Sequence, residues 1–144
     1  MPTVKIKRFD KELPLPEYKT AGAAALDLYA RTEVIIQPRE VKLIPLNVAI
    51  EIPQDYFGLL VSRSSAHKLG ITAANGVGII DSDFRGDNDE CCFLALNFTD
   101  KVVTIERGTR IAQILIISAK QVKVVEVDSM GNADRGGFGS TGKS

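Results

Sequence analysis

The sequence predicts an all-β sandwich or barrel, and three observations support that fold class. Short runs rich in β-branched residues alternate with turn residues. No long segment has the 3.6-residue periodicity of an amphipathic helix. The chain has 144 residues, enough for one domain with a single core, and its 44% hydrophobic and 25% charged residues are ordinary for a globular protein.

At least eight strand candidates follow one another along the chain. Pro38 and Pro53 interrupt the apolar runs and mark turns between strands. One or two helical turns are predicted at residues 65–69, where Ser65 can cap the start and Gly70 the end. The strand candidates are residues 3–9, 34–36, 41–52, 56–62, 91–98, 102–105, 110–117 and 122–127.

Charge and cysteine content exclude several classes of protein. Lys and Arg number 18, as do Asp and Glu, so the net charge is zero and binding of nucleic acid mainly by charge is not expected. No apolar run approaches a membrane span and no signal-peptide core is present, which predicts a cytoplasmic protein without a membrane partner. Cys91 and Cys92 are neighbours that cannot staple the fold, and with His67 as the one histidine no zinc cluster is expected.

Residues 131–144 differ in kind from the rest of the chain. They carry five glycines and one large apolar residue, Phe138, so they cannot bury enough surface to order themselves. They are either a mobile tail or an arm that folds over a ligand. The predicted organisation is a β domain over residues 1–130 followed by this arm. In an arm, phosphate donors would come from glycine amides and from Arg135, Ser140 and Thr141.

Two further segments carry groups that bind anions. Residues 63–65, Arg-Ser-Ser, lie directly before the short helix, where an arginine fork, two hydroxyls and helix-start amides form a compact anion site. The alternative is a capped helix with a surface arginine. Gln113 lies inside an apolar run and is either a satisfied core group or a ligand contact.

Residues 75–84 combine glycines with a carboxylate. The glycines allow close approach to the backbone, whose N–H and C=O groups can read the edge of a flat base. Asp81 follows two isoleucines, and a carboxylate beside apolar walls suits a general base for water. Taken alone, Asp81 is more simply interpreted as a surface acid in an acidic turn.

Taken together, five segments in this order resemble the motif set of the trimeric dUTPases, the deoxyuridine triphosphate nucleotidohydrolases. They are AGAAALDLYA (21–30), RSS (63–65), GIIDSDFRG (78–86), GTRIAQ (108–113) and RGGFGSTG (135–142). The resemblance spans nearly the whole chain. It implies a jelly-roll β-sandwich with one short helix and a flexible Gly-rich C-terminal arm. It also implies a homotrimer whose active sites are each assembled from all three chains.

The resemblance further implies that dUTP and water give dUMP and pyrophosphate, which limits uracil incorporation into DNA and supplies dUMP. Asp81 matches the aspartate that activates the water attacking the α-phosphorus. Mg²⁺ is held mainly by the substrate phosphates, with Asp27 as a possible supporting carboxylate. The implied substrate contacts are Arg63, Ser64, Ser65 and Gln113 from one subunit, Asn75, Gly78, Ile79, Ile80 and Phe84 from a second, and Arg135, Phe138, Gly139, Ser140 and Thr141 from a third.

Two departures and two alternatives accompany the resemblance. Phe84 stands where the family more often has tyrosine, and residues 87–92 make the hairpin longer than its commonest version. One alternative is a dCTP deaminase, mono- or bifunctional, of the same fold, with Glu90 as its candidate glutamate; the Gly-rich arm argues against it. The other is a non-catalytic nucleotide-binding regulatory trimer, which the intact Asp81 and arm argue against.

Overall fold

The computed structural model describes residues 1–139, and the fold is all-β, as the sequence predicts. The described residues include no helix long and apolar enough to cross a membrane. The elements are β1 (Lys5–Arg8), β2 (Leu26–Tyr29), β3 (Val34–Ile36), β4 (Val41–Pro45), β5 (Val48–Glu51), β6 (Tyr56–Ser62), a 3₁₀ turn (Ala66–Leu69), β7 (Ile71–Ala73), β8 (Gly78–Ile80), β9 (Cys92–Asn97), β10 (Val103–Ile105) and β11 (Arg110–Ser118).

The strands pair antiparallel in small sheets that pack around one core. A four-stranded sheet has the order β2-β11-β6-β8, a three-stranded sheet has the order β4-β9-β7, and β1 pairs with β5 and β3 with β10. Branched aliphatic side chains fill the space between the sheets, and each fully buried one contributes about 1.5–3 kcal/mol through loss of water contact. The most buried of them include Leu28, Ile36, Ile44, Ile71, Ile111 and Ile114.

The candidate strand at residues 41–52 is two strands, β4 and β5, separated by a turn at Asn47. Asn47 has φ +71° and is almost fully buried. Its side-chain amide replaces missing ladder partners, because Oδ1 accepts from the Asp10 N–H at 2.7 Å and Nδ2 donates to the Asp10 carbonyl at 3.0 Å. The buried turn is therefore satisfied, as buried polar groups must be.

Two local expectations need correction, and one is confirmed. The helical segment is a single 3₁₀ turn, which ends at Gly70 with φ +86°, as predicted. The predicted Ser65 cap is wrong: its side chain makes no capping bond within the described chain, and its backbone is αR rather than extended. Residues 122–127 form no strand with other described residues, and Val122 and Val124 are largely exposed.

Candidate active site

The predicted phosphate-binding residues lie on neighbouring strands of the four-stranded sheet. Gln113 on β11 lies opposite Asp27 on β2 and opposite Val61 on β6. Arg63 directly follows the end of β6. The sheet therefore brings three segments that are distant in sequence to one place.

A register shift in β11 places Arg110 on the same face as Gln113. Arg110 pairs with Tyr29, whereas Gln113 pairs with Asp27, and the shift lies between Arg110 and Ala112. Two residues of β2 thus oppose a span of three in β11, as in a β-bulge. In a regular strand, residues three apart face opposite sides of the sheet. The bulge therefore gives Arg110 a place in the site.

Asp27 holds two guanidinium groups at once. Its Oδ1 lies 3.3 Å from Arg63 Nε and its Oδ2 lies 3.2 Å from Arg110 Nη1. Arg63 Nη1 also donates to the Arg110 carbonyl oxygen at 3.2 Å. The Asp27 side chain is only 13% exposed, so solvent screens these contacts weakly. Two cations on one carboxylate leave a net positive charge, which suits an anionic ligand.

Two further polar side chains near this cluster are each oriented by one hydrogen bond to a backbone carbonyl. Gln113 Nε2 donates to the Ser62 carbonyl at 3.2 Å, which leaves its amide oxygen and second N–H for another group. His67 Nδ1 lies 2.9 Å from the Ser64 carbonyl, so it carries the proton and ties the loop to the 3₁₀ turn. Ser64 itself is exposed and Ser65 is half-buried.

The hairpin that carries Asp81 lies at the edge of the same sheet. Strand β8 pairs only with β6 in the described chain, where Ile80 lies opposite Gly58 and Gly78 opposite Leu60. Its outer edge therefore presents unpaired backbone groups, which is the property the sequence predicted for base recognition. Asn75 lies in the turn before β8, where Val77 N–H donates to its carbonyl at 2.8 Å.

Asp81 follows β8 and lines a broad surface groove. The groove is also lined by Tyr56 and Phe57 of β6 and by residues 118–121. Asp81 is exposed rather than enclosed by apolar walls, and so is Phe84, whose N–H donates to the Asp81 carbonyl at 3.1 Å. The single chain therefore fixes the Asp81 backbone but does not enclose its carboxylate.

The two groups of site residues lie at opposite ends of β6. The register with β8 puts Asp81 level with Phe57 near the start of β6, whereas Arg63 follows its last residue. Phe57 and Arg63 are six residues apart, which is about 20 Å along an extended strand. This separation along the strand is longer than a triphosphate group.

The described part of the C-terminal arm, residues 131–139, is mostly exposed. The Phe138 ring is fully exposed, and Phe138 and Gly139 both have positive φ, +51° and +83°. Arg135 is exposed as well. The two remaining arm candidates, Ser140 and Thr141, lie outside the described residues.

Glu90 is part of a structural ion pair. Its carboxylate accepts from Arg31 Nε at 2.7 Å, from Arg31 Nη2 at 2.9 Å and from the Asn47 N–H at 2.9 Å. These bonds raise the pKa of Arg31 and occupy the carboxylate that the deaminase alternative requires. Burial raises the pKa of the Cys91 thiol to about 12 and also raises that of Cys92, so neither is a thiolate at neutral pH.

The chain is similar in sequence to known dUTPases. The dUTPase family model matches residues 11–142. The chain is 44% identical over 146 residues to the deoxyuridine 5′-triphosphate nucleotidohydrolase of Caldanaerobacter subterraneus subsp. tengcongensis. This similarity covers 96% of this chain and 97% of that protein.

Solved structures are similar over most of the chain. The dUTPase from Streptococcus mutans superposes with a TM-score of 0.74 at 26% identity, covering 83% of this chain and 98% of that one. The Staphylococcus bacteriophage 80alpha dUTPase, solved with dUpNHpp, superposes with a TM-score of 0.85 at 24% identity, covering 99% and 100%. These similarities confirm the predicted fold.

Proposed function

Because this chain belongs to the dUTPase family, it is a dUTP nucleotidohydrolase, and we propose that it acts as a homotrimer in which Asp81 is the base. Asp81 deprotonates the water that attacks the α-phosphorus of dUTP, and dUMP and pyrophosphate leave. Residues 1–130 are the catalytic β domain, and residues 131–144 close over a neighbouring subunit's site.

The separation of Asp81 from Arg63 carries the proposal of a shared site. The two residues lie about 20 Å apart along β6, too far for one triphosphate to reach both. A second copy of the chain removes the difficulty by supplying its Asp81 end beside the first copy's Arg63 end. Cyclic symmetry then repeats the same arrangement at every subunit interface.

The cluster around Asp27 is the proposed phosphate-binding end. Its net positive charge attracts the triphosphate, and the Asp27 carboxylate keeps Arg63 and Arg110 oriented before substrate arrives. The exposed Ser64 hydroxyl, the half-buried Ser65 and the free groups of Gln113 add neutral donors. Arg110 thus joins the contacts expected from sequence as an orienting group.

The β8 hairpin is the proposed base-recognition end. Unpaired backbone groups at the outer edge of Gly78, Ile79 and Ile80, with Asn75, match the acceptor-donor-acceptor edge of uracil. Cytosine presents a different pattern and would leave those groups without partners, which is costly in an enclosed site. The Phe84 ring packs under the deoxyribose, where a 2′-hydroxyl does not fit.

The arm completes the site from a third subunit. Phe138, exposed in the single chain, stacks on the uracil and excludes water from the reaction. Arg135, Gly139, Ser140 and Thr141 supply phosphate donors.

Magnesium fits this site as an ion that binds together with the substrate phosphates. The described residues include no group of three or more His, Cys, Asp or Glu side chains able to hold a metal ion. Mg²⁺ takes its ligands readily from phosphates and water, and Asp27 is the candidate acceptor for a metal-bound water. When bound, the ion offsets the charge of the triphosphate and stabilises the leaving pyrophosphate. We place the enzyme in the cytoplasm, without nucleic-acid or membrane partners.

Co-expression of two inactive variants tests the shared site. Asp81→Asn and Arg63→Gln are each expected to abolish pyrophosphate release from dUTP. In each mixed trimer, one of the three sites combines an intact Arg63 from one subunit with an intact Asp81 from its neighbour. Random assembly of equal amounts of the two variants therefore makes about one quarter of all sites competent, so activity returns. Mixed trimers that are verified by mass spectrometry and stay inactive would contradict the shared site. Wild-type protein that binds dUTP without turnover would contradict the enzyme itself.

A further inference from the structure

Residues 81–90 cross the surface between β8 and β9 in two successive turns. The first turn is closed by the Phe84 N–H on the Asp81 carbonyl at 3.1 Å. In the second, the Asp89 N–H donates to the Gly86 carbonyl at 3.1 Å, and the Gly86 N–H donates to Asp89 Oδ2 at 2.8 Å. Phe84 closes the first turn and only Arg85 separates it from the second, so its position depends on both turns.

The far end of the segment is anchored at Glu90. Arg31 donates two parallel hydrogen bonds to the Glu90 carboxylate, and the Asn47 N–H donates a third. A bidentate contact of this kind is among the strongest between arginine and a carboxylate. The Glu90 side chain is only 12% exposed, whereas that of Asp87, which pairs with Lys7, is 91% exposed. An exposed pair contributes little, so Glu90 is the main ionic anchor.

The same arginine also lies beside the phosphate-binding end. Ala30, its chain neighbour, donates to the Thr109 carbonyl and accepts from the Gly108 N–H, both at 2.8 Å. Those two residues precede Arg110 at the start of β11. The Arg31–Glu90 pair therefore connects the turn at residues 108–109, which leads into Arg110, with the segment that carries Phe84.

We propose that Glu90 is a positioning residue that holds Phe84 in place through Arg31 and thereby sets the discrimination between deoxyribose and ribose nucleotides. This inference rests on the proposed function, because it assumes that Phe84 meets the sugar. The Glu90 carboxylate accepts three hydrogen bonds and would lose them if it took part in proton transfer. Glu90 therefore contributes to the reaction through the position of the Phe84 ring.

The test compares Glu90→Gln with Glu17→Gln. The two substitutions are chemically identical, but Glu17 pairs with Lys19 on an exposed part of the surface. Glu90→Gln is expected to lower the ratio of kcat/KM for dUTP to that for UTP by about tenfold, since a displaced ring excludes the 2′-hydroxyl less well. Glu17→Gln is expected to leave the ratio unchanged. A Glu90→Gln enzyme with a lower Tm but an unchanged ratio would overturn the proposal.

A second readout does not depend on activity. The chain has no tryptophan, so Phe84→Trp introduces a single reporter. Adding Glu90→Gln is expected to lower the fluorescence anisotropy of the reporter, whereas adding Glu17→Gln is not; equal anisotropy in both would overturn the proposal. Arg31→Lys, which keeps the charge but loses the fork, replaces Glu90→Gln if that variant does not fold. Wild-type protein inactive on dUTP would refute the proposed function, while the anisotropy still tests the anchor.

Discussion

The two ends of β6 differ in how completely one chain builds them. At the end near Arg63, ion pairs and amide contacts orient the polar groups, and Asp27 is mostly buried between two arginines. At the end near Asp81, the carboxylate and the Phe84 ring are exposed beside an open groove. The first end is organised before any ligand or partner arrives, whereas the second has its backbone in place but lacks an enclosure.

This difference has a physical origin in charge. Guanidinium groups that face each other need a counter-charge within the same chain, or they would repel and weaken the fold. A single exposed carboxylate has no such need, because water solvates it well until a partner covers it. The chain therefore stabilises its cationic end internally and leaves its acidic end exposed to solvent.

Substitution of Asp81 is expected to have the largest effect on activity and almost none on folding. Asp81→Asn removes the base, so Mg²⁺-dependent pyrophosphate release from dUTP should fall by a factor of roughly 100 or more. Because the side chain is exposed, the Tm should stay close to that of the wild type. Parallel assays with dCTP, dTTP and UTP measure base and sugar selectivity; turnover of dCTP would instead favour a deaminase.

Substitution of Asp27 should affect both activity and stability. Asp27→Asn leaves Arg63 and Arg110 without their shared counter-charge, which should cost about 2 kcal/mol of unfolding free energy. The misplaced arginines should also lower kcat/KM for dUTP by about tenfold. Urea unfolding and steady-state kinetics measure the two effects.

Asp100→Asn is the matched control for Asp27. The same chemical change is made there at an exposed residue that has no ion pair within the described chain. Its stability and activity should remain those of the wild type. If Asp27→Asn behaves like Asp100→Asn, the organisation of the cationic end does not depend on the carboxylate.

The fold was predictable because alternation and turn residues report burial directly. The missed features depend on partners that are distant in sequence. The bulge in β11 is one such case, since period-two alternation puts Arg110 and Gln113 on opposite faces and only pairing with β2 reveals the shift. Residues 122–127 are the converse case, because a β-prone run forms a strand only when it pairs with another strand, and no described strand pairs with this one.

The sequence indicated candidate residues for the site but not the contacts between them. The motif order indicated Asp81, Arg63 and Gln113, because each motif carries its chemistry locally. The role of Glu90 was not predictable, since the carboxylate alone is equally compatible with catalysis and with an ion pair. Its partner Arg31 lies 59 residues away, and only the fold brings the two together.

The smallest expected effect concerns the contact between β6 and β8, which holds the acidic end in place. Gly58 lies opposite Ile80, and a Cβ there would lie 2.7 Å from Ile114 Cδ1 and 3.1 Å from Ile80 Cβ. Ile114 Cδ1 is the end of a flexible side chain that can turn away, whereas Ile80 Cβ is fixed to β8. Gly58→Ala should therefore shift β8 outward by a few tenths of an ångström, at a cost of about 1 kcal/mol. Asp81 moves with β8, so kcat/KM for dUTP should fall severalfold while Arg63 and Asp27 stay in place.

Gly22→Ala provides the control for this substitution, because a Cβ at Gly22 meets no atom within 4 Å. Its Tm and its kcat/KM should match those of the wild type. The informative combination is Gly58→Ala with Asp27→Asn, which act at opposite ends of the sheet. Effects of distant, independent sites add, so the double variant should lose the sum of the two unfolding free energies. A loss that departs from that sum by more than about 0.5 kcal/mol would show that the two ends are coupled through β6.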